Sequence, residues 1–300
     1  MNILMTGGTG FLGSALCHCL TAQGHAVTVL SRHPEQVANT CGIGVRAVAS
    51  LSQLNPEDPF QVIINLAGAP IVAERWTTAR KQLIRASRIA LTEDLLAHIK
   101  RMAVTPQLLI SGSAIGYYGD QANIALTEQA PPGSDFSAQL CQDWEAAALQ
   151  AEPLGLRVCL IRTGLVIGAG GGFLQRMLLP FRLGLGGRLG NGQQWQSWIH
   201  IEDWLAVVLQ MITDAAMHGA YNATAPIPVT NSAFTRALAR QLQRPALLPI
   251  PAWLLKTLLG EMSALLLGSQ RVLPQRLIAG GFQFYYTDVD SALRQVLARP

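Results

Sequence analysis

Asn2-Ile3-Leu4-Met5-Thr6-Gly7-Gly8-Thr9-Gly10-Phe11-Leu12-Gly13 opens the chain, and its reading decides the fold. Asn2 to Met5 is a short apolar run, and Phe11 to Gln23 has helical apolar spacing that ends near Gly24. The glycines therefore fall between a strand and a helix, the context in which such a fingerprint carries meaning. Gly7 permits a tight turn, Gly10 lets main chain approach a pyrophosphate, and Gly13 allows the helix to pack closely on the strand. Thr9, Phe11 and Leu12 complete the cradle, because the first N–H groups of a helix lack intrahelical acceptors and face negative charge. A purely structural glycine turn is the competing reading, and the pattern downstream argues against it.

That pattern alternates. His25 to Leu30 is a second strand, Val45 to Ser50 a weaker third and Gln61 to Leu66 a fourth. Ala79 to Lys100 reads as one long helix and Gln107 to Ser111 as a fifth strand; Ser137 to Gln150 is a helix and Arg157 to Arg162 a sixth strand. Strands separated by helices imply parallel crossovers, hence an α/β, Rossmann-type doubly wound parallel sheet with its ligand at the carboxyl ends of the strands. After Gly164 the texture changes. Gly168 to Gly172 and Gly184 to Gly192 are glycine-dense loops flanking a helix at Phe173 to Leu183, and their Leu, Phe and Trp residues suggest ordered segments over a cleft. Trp198 to Met211 returns to strand and helix, Tyr221 to Ala223 suits a further strand, and helices dominate from Ser232 onward. The expected organisation is a dinucleotide-binding domain over residues 1–230, with a substrate-side insertion at 170–195, and a smaller, mainly helical C-terminal substrate lobe over 231–300.

Composition narrows the partners. Half of the residues are hydrophobic and 13% are charged, which suits a compact core and excludes a disordered chain. A net charge of +4 is mild and its Lys and Arg residues are scattered, so nucleic acid is not an expected partner. The five cysteines, Cys17, Cys19, Cys41, Cys141 and Cys159, are odd in number and lack metal-ligand spacing. No metal is expected, and free thiols point to a reducing, cytoplasmic setting. The most apolar region, Leu247 to Leu267, is interrupted by Pro249, Pro251, Lys256 and Glu261, short of the ~20 apolar residues a span requires, so no membrane is expected. A small-molecule substrate is the expected partner, and a homo-oligomer is compatible with everything above.

At the end of the second strand, where a carboxylate would accept the ribose hydroxyls of NAD, stand Ser31 and Arg32. A guanidinium pairs bidentately with a 2′-phosphate and a serine hydroxyl adds a hydrogen bond, so the expected cofactor is NADP(H). After the fourth strand, Leu66, Ala67 and Gly68 offer little side chain where a ribose or the nicotinamide half would lie against backbone.

Further segments carry a resemblance. Ser111-Gly112-Ser113-Ala114-Ile115-Gly116-Tyr117-Tyr118-Gly119, Arg162-Thr163-Gly164-Leu165-Val166-Ile167-Gly168 and Trp198-Ile199-His200-Ile201-Glu202-Asp203, with the glycine loop, resemble the extended and atypical short-chain dehydrogenase/reductase superfamily. Gly260-Glu261-Met262, Ser269 to Pro274 and Gly281-Phe282-Gln283-Phe284 resemble more narrowly the nucleoside-diphosphate-sugar epimerase family whose members carry an uncharacterised C-terminal domain. This narrower likeness spans nearly the whole chain. It implies a catalytic serine, tyrosine and lysine, the tyrosine acting as acid or base and the lysine lowering its pKa and holding the ribose. Ser113 fits the serine by position. Ser137 and Cys141 stand where Tyr-x-x-x-Lys is expected, and neither a hydroxymethyl nor a neutral thiol replaces a phenol or an ammonium.

Other groups compensate in principle. Ser87-Arg88 stands where the superfamily has an asparagine that organises a water, and Arg88 there would contact cofactor or substrate. Tyr117 offers a phenol close to Ser113, Cys141 a thiol. Arg75 and Trp76 suit an anionic or planar substrate as well as surface packing, and Trp195 and Trp198 suit a cleft lining as well as the core. His200 and Asp203 are read as structural, Asp203 as a helix cap. Two functions remain open: an NADP(H)-dependent oxidoreductase or epimerase-like enzyme working without the usual dyad, and a noncatalytic NADP(H)-binding redox sensor or assembly factor.

Overall fold

Seven short runs of alternating contacts build the central sheet of the computed structural model, which describes residues 1–298; the last two positions of the expected C-terminal lobe, 299 and 300, lie outside the described residues. The strands are β1 (Asn2–Thr6), β2 (Ala26–Leu30), β3 (Arg46–Val48), β4 (Val62–Asn65), β5 (Leu108–Ala114), β6 (Arg157–Thr163) and β7 (Gly219–Ala223). They run in the order β7-β6-β5-β4-β1-β2-β3, every pair parallel.

A strand's side chains alternate between faces, and both faces here are apolar. Ile3, Met5, Val62, Ile64, Leu108, Ile110, Cys159 and Ile161 point to one side, where Leu16, Leu20, Trp204, Val207 and Met211 of the helices Phe11–Ala22 and Ile201–Thr213 cover them. Leu4, Ile63, Leu109, Val158 and Leu160 point to the other, against Leu95, Leu96 and Ile99 of the helix Ile89–Ile99 and Ala148 of the helix Phe136–Leu149. Each Leu or Ile so buried contributes about 1.5–3 kcal/mol relative to exposure. The strand order reverses between β1 and β4, so their carboxyl ends open a crevice.

The helix expected over 79–100 is two: Thr78–Ala86 and Ile89–Ile99. Ser87 accepts from Ala69 N at 2.9 Å and donates to Ile84 O, and Arg88, at φ −114° and ψ −59°, is the N-cap of the second helix. The fifth strand runs three residues beyond its expected end at Ser111, to Ala114, and so carries Ser113 within it.

The glycine-dense stretches are close-packed. A Cβ at Gly171 would lie 2.4 Å from the Phe11 ring, one at Gly187 1.8 Å from Leu248 O, and one at Gly192 2.0 Å from Ser232 Oγ. Beyond residue 230, the helices Asn231–Leu242 and Val289–Ala298 pack Phe234, Leu238, Leu293 and Val296 against Ile167, Leu174, Phe181 and Trp198. Among the described residues no helix is long and apolar enough to cross a membrane, and no group of three or more His, Cys, Asp and Glu is arranged to hold a metal ion.

Candidate functional site

The crevice between β1 and β4 is floored by main chain. Gly7 adopts φ +73°, and a Cβ there would sit 2.7 Å from Leu66 C and 2.8 Å from Ala67 N. A Cβ at Gly13 would lie 2.1 Å from Gly7 O, whereas one at Gly8 would strike Val29 of β2 at 2.7 Å. The contact with a strand side chain is thus made by the loop, at Gly8, and not by the helix at Gly13. Gly13 instead lets the helix seat on the loop itself, because the helix enters directly above the Gly7 carbonyl. Gly10 is the N-cap and makes no side-chain cap bond, so the first-turn N–H groups before Ser14, Gly13 among them, lack a capping oxygen. Thr9, Phe11 and Leu12 are half-buried around this turn.

Thr6 locks the crevice to β4. Its hydroxyl donates to Asn65 Oδ1 at 2.7 Å and accepts from Ala67 N at 3.2 Å; Asn65 Nδ2 donates to Thr92 Oγ1 at 2.8 Å. Leu66, Ala67 and Gly68 follow as a bare, partly open ledge. At the end of β2, Ser31 Oγ accepts from His33 N at 3.1 Å, and Arg32 is exposed with, among the described residues, no carboxylate within ion-pair distance. The nearby Glu35 lies 3.4 Å from His33 instead.

Ser113, Ser137 and Cys141 do come together. A Cβ at Gly116 would lie 3.3 Å from Ser137 Cβ and 3.9 Å from Cys141 Sγ, so one face of the Phe136–Leu149 helix packs under the segment after β5. Burial, with Glu145 nearby, pushes the Cys141 thiol up to about 12, against hydrogen bonds to Ala114 and Ser113. It remains a thiol, which removes the thiolate chemistry its position suggested. Tyr117 is half-buried, and its ring face is taken by the Arg162 guanidinium, 3.5 Å from the centroid.

The polar centre of this region is one that the sequence reading missed. Ser113 Oγ donates to Glu145 Oε1 at 2.6 Å; Arg162 Nε donates to the same oxygen at 2.8 Å and Nη2 to Oε2 at 2.7 Å. Arg162 Nη1 donates to Tyr118 OH at 3.0 Å, which donates to Asn222 Oδ1 at 2.7 Å. All five residues are buried. Burial works against the Arg162 charge, but the pairing with Glu145 outweighs it and holds the guanidinium above its ordinary range; burial pushes Tyr118 up to about 12. Two signals were present: Arg162 ends an apolar strand, and Glu145 follows Ser137 and Cys141 at helical i, i+4 spacing.

The remaining candidates resolve by packing. Trp198 is fully buried, donating to Ile227 O, and lines no cleft. Trp195 is half-buried, donating to Asn123 Oδ1 at 2.7 Å with Arg271 over its ring. Trp76 donates to Ile71 O and meets Phe136 edge-on at 4.9 Å, while Arg75 lies against Gly260. Asp203 caps no helix. His200 is the N-cap, and Asp203 accepts from Tyr285 N at 2.7 Å and Tyr286 N at 3.1 Å, tying the C-terminal segment down.

The chain is similar to known proteins over nearly its whole length. The family described as NAD dependent epimerase/dehydratase matches residues 3–223, and a domain of unknown function (DUF1731) matches residues 250–296. Epimerase family protein YfhF of Bacillus subtilis is 39% identical over 300 residues, covering 99% of this chain and 98% of that protein. The chloroplastic epimerase family protein SDR39U1 homolog of Arabidopsis thaliana is 38% identical over 303 residues, covering 99% and 87%. Human epimerase family protein SDR39U1 (isoform 2), whose crystal structure is with NADPH, aligns over 100% of both chains with a TM-score of 0.89 and 32% identity. The nucleoside-diphosphate sugar epimerase from Corynebacterium glutamicum aligns with a TM-score of 0.79 and 32% identity, over 99% of this chain and 58% of its own. The chain belongs to the NAD dependent epimerase/dehydratase family.

Proposed function

We propose that the chain binds NADP(H) along the β1–β4 crevice and supports hydride transfer on a small carbonyl or hydroxyl compound, nucleotide sugars among the candidates. One observation carries the reading. A methyl group at Gly7 or Gly13 would collide with backbone at an uncapped helix N-terminus, so the place suited to a diphosphate is walled by main-chain N–H groups. Arg32, exposed and without a carboxylate at the end of β2, favours a 2′-phosphate over a bare ribose. The NADPH in the human relative's structure supports the same choice.

When bound, the cofactor supplies the hydride donor or acceptor. The chain's own residues do the positioning: Ser31 and Arg32 at the 2′-phosphate, Gly7 to Gly13 at the diphosphate, and Leu66 to Gly68 along the far half. Ser113 directs its proton at Glu145, which leaves its oxygen lone pairs as the acceptor this reading assigns to a substrate hydroxyl.

Fluorescence titration with NADPH and NADH tests the cofactor. Arg32→Ala is expected to weaken NADPH by about tenfold or more, since a charge-assisted pair is lost, and to leave NADH unchanged. Equal weakening overturns the phosphate assignment, and no binding of either coenzyme by folded protein overturns the reading.

A noncatalytic NADP(H)-binding sensor or assembly factor is the second reading, favoured by the buried Ser137 and the un-ionised Cys141 in the places of the acid-base pair. A panel of aldehydes, ketones and nucleotide sugars separates the two: bound-NADPH fluorescence decays with an enzyme's substrate and persists throughout for a sensor.

A further inference from the structure

Arg80, in the helix Thr78–Ala86, and Arg88, in the break that follows it, converge on the loop that leaves β4. Arg80 is only 9% exposed; its Nη2 donates to Pro70 O at 2.6 Å, and its Nε is buried with no hydrogen-bond partner. Arg88 donates from Nη1 to the adjoining carbonyl, Ala69 O, and to Ile84 O, both at 3.2 Å. Its guanidinium lies over Gly68, where a Cβ would come within 2.6 Å of Cζ, and 5.2 Å from the Trp144 ring centroid.

The charge balance of this corner is the anomaly. Burial lowers the affinity of Arg88 for its proton; Cys141 stands beside it but stays a thiol and supplies no negative charge, and Arg80 adds a second positive one. Among the described residues the one carboxylate within 4 Å of either guanidinium is Glu74, 3.9 Å from Arg80 Nη1 and 70% exposed. The other acids nearby are engaged, Asp143 with Arg85 at 2.6 Å and Glu261 with Lys81. Carbonyl dipoles orient the guanidinia without cancelling their charge; Arg80 is buried and Arg88 half-buried, and cations so withdrawn from water are ordinarily paired.

The location identifies what the missing anion accompanies. Trp144, beneath Arg88, also packs under Gly112, one residue before Ser113, and a Cβ at Gly112 would sit 2.7 Å from Trp144 Cη2. Gly68 ends the ledge that follows Thr6 and Asn65. Arg88 therefore stands between the open ledge of β4 and the Ser113 end of β5, with Arg80 beside it on the Pro70 side.

We propose that Arg80 and Arg88 form an oxyanion subsite that takes a carboxylate or phosphoryl group of the substrate beside Ser113. The planar fork of a guanidinium suits either group, and the subsite makes an anionic substrate the preferred class. The proposal rests on the NADP(H) reading only in setting the subsite beside the nicotinamide half; the need for an anion comes from the arginines themselves.

Calorimetric titration of the NADPH-saturated protein with malonate, and separately with inorganic phosphate, at constant ionic strength is the test. Saturation with cofactor blocks the Arg32 pocket, so any site found is a second one. At least one probe is expected to bind saturably, malonate marking a carboxylate site and phosphate a phosphoryl site. Arg88→Gln and Arg80→Gln are each expected to weaken it by about tenfold or more, with Arg88→Lys between. Absence of saturable binding by either probe, or binding in folded Arg88→Gln and Arg80→Gln equal to wild type, overturns the proposal. A loss of NADPH affinity with unchanged anion binding reassigns Arg88 to the cofactor and also overturns it. Should Arg80→Gln fail to fold, the Arg88 pair of variants decides. Should NADPH bind to none of the proteins, the cofactor reading falls, and the same titrations on unloaded protein judge the subsite alone.

Discussion

Ser113 donates its hydroxyl proton to Glu145 Oε1 at 2.6 Å while Arg162 grips both oxygens of that carboxylate. The serine is thereby fixed as a donor to Glu145, and the arginine is kept charged although it is buried. Removing one partner of a buried ion pair strands the other, at about 3–5 kcal/mol. Glu145→Ala is expected to lose that much stability in urea denaturation, and Glu145→Gln less because it keeps an oxygen for one hydrogen bond. Stability of both variants within about 0.5 kcal/mol of wild type would show that the network does not hold the fold.

Two glycines with similar backbone angles separate strain from crowding. Gly7 and Gly24 both have positive φ, +73° and +78°, but a Cβ at Gly7 meets Leu66 and Ala67 backbone whereas one at Gly24 meets nothing within 4 Å. Gly24→Ala is expected to cost only the left-handed backbone penalty, about 1–2 kcal/mol, with NADPH affinity unchanged. Gly7→Ala should cost more and abolish NADPH binding. Thermal melts and fluorescence titration of the two variants check this, and retained NADPH affinity in folded Gly7→Ala would remove the cradle from the cofactor's path.

Thiol reactivity follows burial. Cys19 is half-buried and the other four cysteines are buried, with burial pushing Cys141 up to about 12 and Cys159 up to about 11. Native protein treated with a disulfide reagent near pH 8 is expected to show one fast thiol, abolished by Cys19→Ser and retained in Cys141→Ser. All five should react in urea. A fast phase that disappears with Cys141→Ser would restore a reactive thiol beside Ser113.

The sheet was legible because both its faces are covered: Ile3-Leu4-Met5 and Val62-Ile63-Ile64 are continuous apolar runs that only a buried parallel strand explains. The break at Ser87 and Arg88 was not, since neither residue disfavours a helix and the cause is a tertiary bond to Ala69 N. The glycine loop was recognisable as a tight turn between strand and helix, yet whether Gly8 or Gly13 touches β2 depends on how the helix enters. Ser113 and the two residues facing it could be placed by resemblance. Glu145 and Arg162 each left a signal, in helical spacing and at a strand end, but their pairing did not, because partners from a helix and a strand share no fixed spacing in the chain.

Asp203 makes stability depend on pH in a direction opposite to most carboxylates. It is buried, accepting from Tyr285 N on Oδ1 and Tyr286 N on Oδ2, and burial pushes it from 3.8 up to about 6 despite those amides, with Glu202 adding to the rise. Because its folded pKa exceeds its unfolded one, the folded state binds more protons between about pH 4 and 6. The contribution of Asp203 to stability is therefore greatest below about pH 4, falls as pH rises to about 6, and is constant above. Asp203→Asn cannot titrate, so subtracting its urea-unfolding free energy from that of wild type across this window cancels groups common to both and leaves the Asp203 term. That difference is expected to decline with rising pH. A flat or rising difference would mean that the carboxylate enters the fold charged, its two amide donors outweighing burial at the point where the Phe282 and Phe284 segment is strapped to the core of the seven-stranded sheet.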